Sequence, residues 1–104
     1  MSLELLKEEI VPQFINYGKQ KFYRSIILLA LQKLIAIEKG YFKGIPPHLE
    51  YLEYHNKFMI LYRREGDEVY RDIAKMLRKA AHKIYRIMLK KNMTAVNFLF
   101  LNLV

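Results

Sequence analysis

Hydrophobic residues recur every three or four positions along most of the chain, the spacing of an amphipathic α-helix. The pattern predicts helices over residues 3–17, 19–39, 48–64 and 68–91. Pro12 lacks a backbone N–H, so we expect a break or kink near it in the first helix. Gly18 is expected to end the first helix or to act as a tight hinge into the second, Gly40 to end the second, and Gly66 to separate the last two. One glycine inside a helix costs only about 1 kcal/mol. The alternative is therefore that the last two helices form one continuous helix through Gly66.

The helix predicted over residues 19–39 is the most apolar of the four. Apolar side chains occupy half of its circumference or more, so it has to be covered on several sides. Its uninterrupted apolar run, Ile26 to Leu31, is far shorter than the about 20 residues that cross a bilayer. We therefore predict an all-α fold, a four-helix, largely antiparallel bundle with this helix most buried. A short apolar C-terminal tail, residues 92–104, is expected to pack on the bundle or on a partner.

Length and composition narrow the function classes. At 104 residues the chain is long enough for one domain with its own hydrophobic core. The absence of cysteine excludes disulfides, thiol catalysis and cysteine-bound metals. The N-terminal residues lack the layout of a secretory signal, so a cytoplasmic location is expected. His48 and His55 lie two turns apart and no glycine-rich phosphate loop occurs, so we expect a non-enzymatic protein without metal or cofactor.

The chain is basic, and the positions of its charges matter more than their number. Lysine and arginine exceed acidic residues by eight, and no acidic residue follows Asp72. Basic residues recur on one face of the helix over 68–91, along about 30 Å, at Arg71, Lys75, Arg78, Lys79, Lys83, Arg86 and Lys90. Rows of Lys and Arg bind phosphate backbones, so this face predicts binding of nucleic acid or of an acidic protein. A solvated outer face of an amphipathic helix explains the same pattern.

The helix over 48–64 has more apolar surface than one neighbouring helix can cover. Its aromatic side chains, together with two from the tail, form a candidate interface: Tyr51, Tyr54, Phe58, Tyr62, Phe98 and Phe100. Because interfaces favour Tyr and Phe, we expect a homodimer. Packing of the helix aromatics inside the bundle is the alternative explanation. A protein-interaction function, as a small subunit or adaptor, is therefore the alternative to nucleic-acid binding.

Overall fold

Three α-helices make up the part of the chain that the computed structural model describes, residues 2–91. They are α1 (Leu3–Glu38), α2 (Pro47–Glu65) and α3 (Glu68–Lys90), and the described range contains no strand. The all-α class is confirmed, whereas the predicted count of four helices is wrong, because α1 unites the two helices expected over 3–17 and 19–39. The predicted tail, with Phe98 and Phe100, lies outside the described residues.

α1 continues through Pro12, where the sequence predicts a break. Proline removes one hydrogen bond of a helix, here the one that would reach the carbonyl of Glu8. Both residues are exposed, so water can bond to that carbonyl in place of the missing N–H. Within α1 only Gly18 has non-helical backbone angles, φ 80° and ψ 167°. The kink of α1 therefore lies at the glycine, while the backbone angles remain helical at the proline.

The bend at Gly18 divides α1 into an N-terminal arm, residues 3–17, and a C-terminal arm, residues 19–38. Phe14 and Phe22, one on each arm, meet edge to face with their ring centroids 5.3 Å apart. Eight residues of straight helix would separate them by about 12 Å along the axis. The arms are therefore bent toward the side that carries the two phenylalanines.

The buried side chains of α1 recur every four residues along both arms. They are Leu6, Ile10, Phe14, Phe22, Ile26, Ala30 and Leu34, and Gly18 occupies the missing place. Four residues turn an α-helix by about 400°, so this row drifts by about 40° at each step. On a straight helix the row would travel roughly three quarters of the way around the axis. The bend lets both parts of the row face a common core.

α2 and α3 form a helical hairpin joined by a two-residue turn. Gly66 ends α2 in the left-handed conformation, and its N–H donates to the Tyr62 carbonyl at 2.7 Å. Asp67 caps α3, where its carboxylate accepts a hydrogen bond from the Val69 N–H at 3.0 Å. The break predicted at Gly66 is therefore present, and it allows α3 to fold back along α2.

The two arms of α1 pack on different parts of this hairpin. The N-terminal arm lies beside the turn, where Lys7 Nζ is 3.0 Å from a carboxylate oxygen of Glu65. The C-terminal arm extends to the open end, where α2 begins and α3 ends. Near that end Lys33 Nζ is 2.8 Å from a carboxylate oxygen of Glu50. α1 thus spans the hairpin from its turn to its open end.

α3 provides the longest buried face, formed by Tyr70, Ile73, Ala74, Leu77, Ala80, Ala81, Ile84 and Met88. The helix predicted over 19–39 is not the most buried, because Leu28, Leu29 and Ile35 on the C-terminal arm are at least half exposed. Among residues 2–91 no further helix covers the side of that arm that carries these three side chains. No helix among residues 2–91 combines the length and the apolar character needed to cross a bilayer. A cytoplasmic location stays a prediction.

Candidate nucleic-acid interface

The outer side of α3 carries the seven basic residues that the sequence predicts for phosphate binding, here called the cationic face. Six of them are exposed: Lys75, Arg78, Lys79, Lys83, Arg86 and Lys90. Arg71 is half-buried, and its Nη1 lies 3.6 Å from a carboxylate oxygen of Glu68. Because the opposite side of α3 packs into the core, the cationic face points away from the hairpin.

Ion pairs elsewhere in the molecule contrast with this face. Lys7, Lys19 and Lys33 have carboxylate oxygens 3.0, 3.7 and 2.8 Å from their amines. Within residues 2–91 no carboxylate lies within ion-pair distance of Lys75, Arg78, Lys83, Arg86 or Lys90. Among residues 2–91, Arg71 is thus the only basic residue of the cationic face with an ion-pair partner, and the charges of these five side chains are left unpaired.

A shallow groove of about 230 Å³ separates the C-terminal arm from α3. Its floor is apolar and is built from Tyr23, Ile27 and Leu28. Arg24 of α1 and Lys83 of α3 complete its lining with two positive charges. The groove therefore joins the cationic face to the exposed side of α1.

A second groove continues across α1 from the first, and we call the pair the arm grooves. It is lined by Tyr17, Lys21, Arg24, Ser25 and Leu28, so Arg24 and Leu28 belong to both grooves. Sequence reasoning missed these residues. A signal was available, since Lys21, Arg24 and Leu28 follow one another at helical spacing. The contribution of Lys83 depends on the packing of two distant segments, which that spacing does not reveal.

Of the four aromatic residues of α2 predicted as an interface, two are buried and two are half-buried. Tyr51 is 4% exposed and Phe58 is fully buried, so neither offers surface to a second molecule. The Tyr51 hydroxyl donates to the Ile26 carbonyl at 2.7 Å, and burial raises the pKa of Tyr51 well above its ordinary range. Tyr54 and Tyr62 are half-buried. Core packing thus accounts for the two central aromatics, and homodimerisation stays a prediction.

Two histidines of α2 occupy separate sites. His48 is buried, its Nδ1 has no hydrogen-bond partner among residues 2–91, and burial lowers its pKa. His55 is bonded through Nδ1 to the Ala74 carbonyl at 2.8 Å, which requires that nitrogen to carry the proton. No group of three or more His, Asp or Glu side chains able to hold a metal occurs in the described part of the chain.

No protein-family model matches this chain, and comparison with curated proteins and with solved structures found no significant match. Function is therefore inferred from the surfaces described above.

Proposed function

We propose that the protein is a small, non-enzymatic nucleic-acid-binding module that holds phosphate backbone on the cationic face of α3. The supporting observation is the row of exposed Lys and Arg side chains without carboxylate partners among residues 2–91. Solubility alone does not require such a row, because a face of mixed positive and negative charge is equally well solvated.

The geometry of α3 fits a repeating anion. Basic residues three or four positions apart have Cβ atoms about 5–6 Å from one another, so successive phosphates can meet successive side chains. Arg78 and Arg86 can each bind a phosphate through two N–H donors. The affinity of such contacts comes largely from released counterions and carries little sequence preference. We therefore propose binding with weak base selectivity.

Fluorescence anisotropy with labelled oligonucleotides at about 50 and 200 mM salt tests this function. If five basic side chains each neutralise one phosphate, single-strand affinity falls roughly 100-fold between the two conditions. Replacing Arg78 and Arg86 by Ala should weaken binding and reduce the logarithmic salt slope by about 1.4. The control replaces two basic residues of α2, Lys57 and Arg63, by Ala and should leave the slope unchanged. Absence of binding at low salt would reject the proposal.

A protein-interaction function, as a homodimer or within a complex with an acidic partner, is the second candidate. It is favoured by the exposed side chains of Leu28, Leu29 and Ile35, because contiguous apolar surface often marks an interaction site. Its interface would lie on the C-terminal arm, since Tyr51 and Phe58 are buried in the core. A single monomeric species in sedimentation velocity, over a range of micromolar concentrations, would rule out the homodimer.

A further inference from the structure

The arm grooves combine two chemical properties that a phosphate-binding surface does not need together. Their floor is apolar and aromatic, and it includes the exposed side chains of Leu28 and Tyr17. Their edges carry Lys21, Arg24 and Lys83. Phosphates require only the charged edges. The floor is suited to a flat, apolar group that is covalently attached to an anion.

The bases of a nucleic acid are such groups, and their availability depends on strandedness. In a duplex each base is stacked between its neighbours, and the phosphates form the outer surface. In a single strand the bases can turn outward and stack on aromatic or apolar side chains, while Lys and Arg follow the backbone. An apolar groove beside a row of cations therefore distinguishes the two forms.

We infer that the nucleic acid bound by this protein is single-stranded, with its bases in the arm grooves and its backbone held by Arg24 of α1 and by the cationic face of α3. This inference rests on the proposed function and specifies its ligand. Tyr17 is 55% exposed and provides a ring for stacking, and Leu28 provides the apolar floor that the two grooves share. Arg24 lies in both grooves, where it can hold the phosphate between successive bases.

Two further observations on α3 support this path of the strand. Lys79 Nζ lies 4.9 Å from the centroid of the Tyr23 ring, a cation–π contact that keeps this charge beside the first groove. On the α3 side, Lys83 also lines a neighbouring groove together with Arg86, Ile87 and Lys90. A strand leaving the arm grooves thus meets another surface of mixed apolar and cationic character along α3.

The test compares three ligands of equal length in anisotropy titrations: a single strand of mixed sequence, its duplex, and a single strand in which several nucleotides are abasic. At those nucleotides the abasic strand keeps its phosphates and lacks its bases. The natural strand should bind more tightly than the abasic strand by between about 5-fold and 150-fold, the range for one stacked base.

The double variant Tyr17→Ala with Leu28→Ser should abolish this difference while binding duplex as the unmodified protein does. Tyr41→Ala, which removes an 84% exposed tyrosine from outside the grooves, should behave as the unmodified protein.

The results separate the two proposals. Equal affinity for the natural and abasic strands, with steep salt dependence preserved, would overturn the inference and leave the proposed function intact. Failure to bind all three ligands at low salt would overturn both. Circular dichroism of each variant verifies that the helices are retained, as expected for substitutions at exposed positions.

A tryptophan placed in the grooves gives a second measurement. The chain has no tryptophan, so Leu28→Trp creates a single indole reporter at the shared floor. Its fluorescence should be quenched by the natural single strand and much less by the abasic strand. A blue shift with vesicles of phosphatidylserine and phosphatidylcholine, with no response to either strand, would overturn the inference in favour of an anionic membrane surface.

Discussion

His48 illustrates how one buried side chain makes stability depend on pH. Its ring lies at the open end of the hairpin, with its centroid 5.8 Å from the centroid of the Tyr85 ring. Burial deprives the imidazolium of water and lowers the pKa of His48, so folding favours the neutral ring. In the unfolded chain the ring has its ordinary pKa, near 6.5. Below that pH the unfolded state binds more protons, and stability falls as the pH decreases.

Replacing His48 by Leu should remove this part of the pH dependence. Urea denaturation between pH 7.5 and 5.5 should show the unmodified protein losing stability below about pH 6.5, by at most about 1.4 kcal/mol per pH unit from this group. The variant should lose less over the same range. It should also be close to the unmodified protein at pH 7.5, because it eliminates a buried ring nitrogen that has no hydrogen-bond partner among residues 2–91. His82→Gln, at an exposed position, is the control and should retain the pH dependence.

At the scale of the element, α1 shows what hydrophobic periodicity predicts well and what it does not. Gly18 could be identified as a hinge because glycine readily adopts positive φ. The sequence predicts a break or kink near Pro12, and the break is absent. The cost of proline depends on whether water reaches the freed carbonyl, which is a property of the fold. The exposed Leu28 was missed because an apolar residue on a helical wheel does not reveal which neighbour, if any, will cover it.

The Gly18→Ala substitution should destabilise the protein by about 1–3 kcal/mol, measured by urea denaturation. A Cβ there would meet no atom within 4 Å, so the cost comes from the backbone, whose angles are essentially restricted to glycine. Gly66→Asn is the control. Gly66 has φ 75° and ψ 3°, a left-handed conformation that asparagine tolerates, so the loss should be smaller. Equal losses would show that the angles at Gly18 are not the source of the cost.

At the scale of the molecule, Glu65 connects the N-terminal arm to the hairpin. Its carboxylate lies 3.0 Å from Lys7 Nζ on the arm and 2.8 Å from Arg64 Nη2, and it accepts a hydrogen bond from the Tyr70 hydroxyl at 3.3 Å. Arg64 and then Lys7 lower the pKa of Glu65 in the folded state. The carboxylate therefore stabilises the fold above its ordinary pKa, and this stabilisation is lost as the pH falls through the folded pKa.

Glu65→Gln should lower the melting temperature at pH 7 and reduce its further decline on acidification below about pH 4.5. The neutral amide keeps the size of the side chain and removes the charge that attracts Lys7 and Arg64. Glu53→Gln is the matched control, because Glu53 pairs with Lys57 within the same helix at 3.2 Å. Its effect should be smaller, since a pair within one helix does not hold two elements together. A larger loss in the control would contradict the connecting role of Glu65.

The candidate site could be predicted from the sequence only in part. The cationic face follows from the period of α3, the helix whose apolar and basic residues separate most cleanly. The first of the arm grooves requires Arg24 and Lys83, which are 59 positions apart in the sequence, to line one cavity. Likewise, Tyr51 is buried where α2 packs on α1, and its hydroxyl donates to the Ile26 carbonyl of the other helix. Surfaces within one helix are encoded in its period, whereas surfaces between helices depend on how the helices pack.

The contact between the N-terminal arm and the hairpin turn also polarises the molecule electrically. Residues 3–17 and 65–72 together hold seven of the ten acidic residues of the chain. The opposite end carries Glu38 and Glu50 but also the later, acid-free part of α3. The charges of residues 2–91 are therefore unevenly distributed along the hairpin, which amounts to a dipole. In the field of a polyanion such a dipole experiences a torque that turns the open end forward before contact. Encounter complexes would then form already oriented, and the association rate constant as well as the affinity would depend on salt.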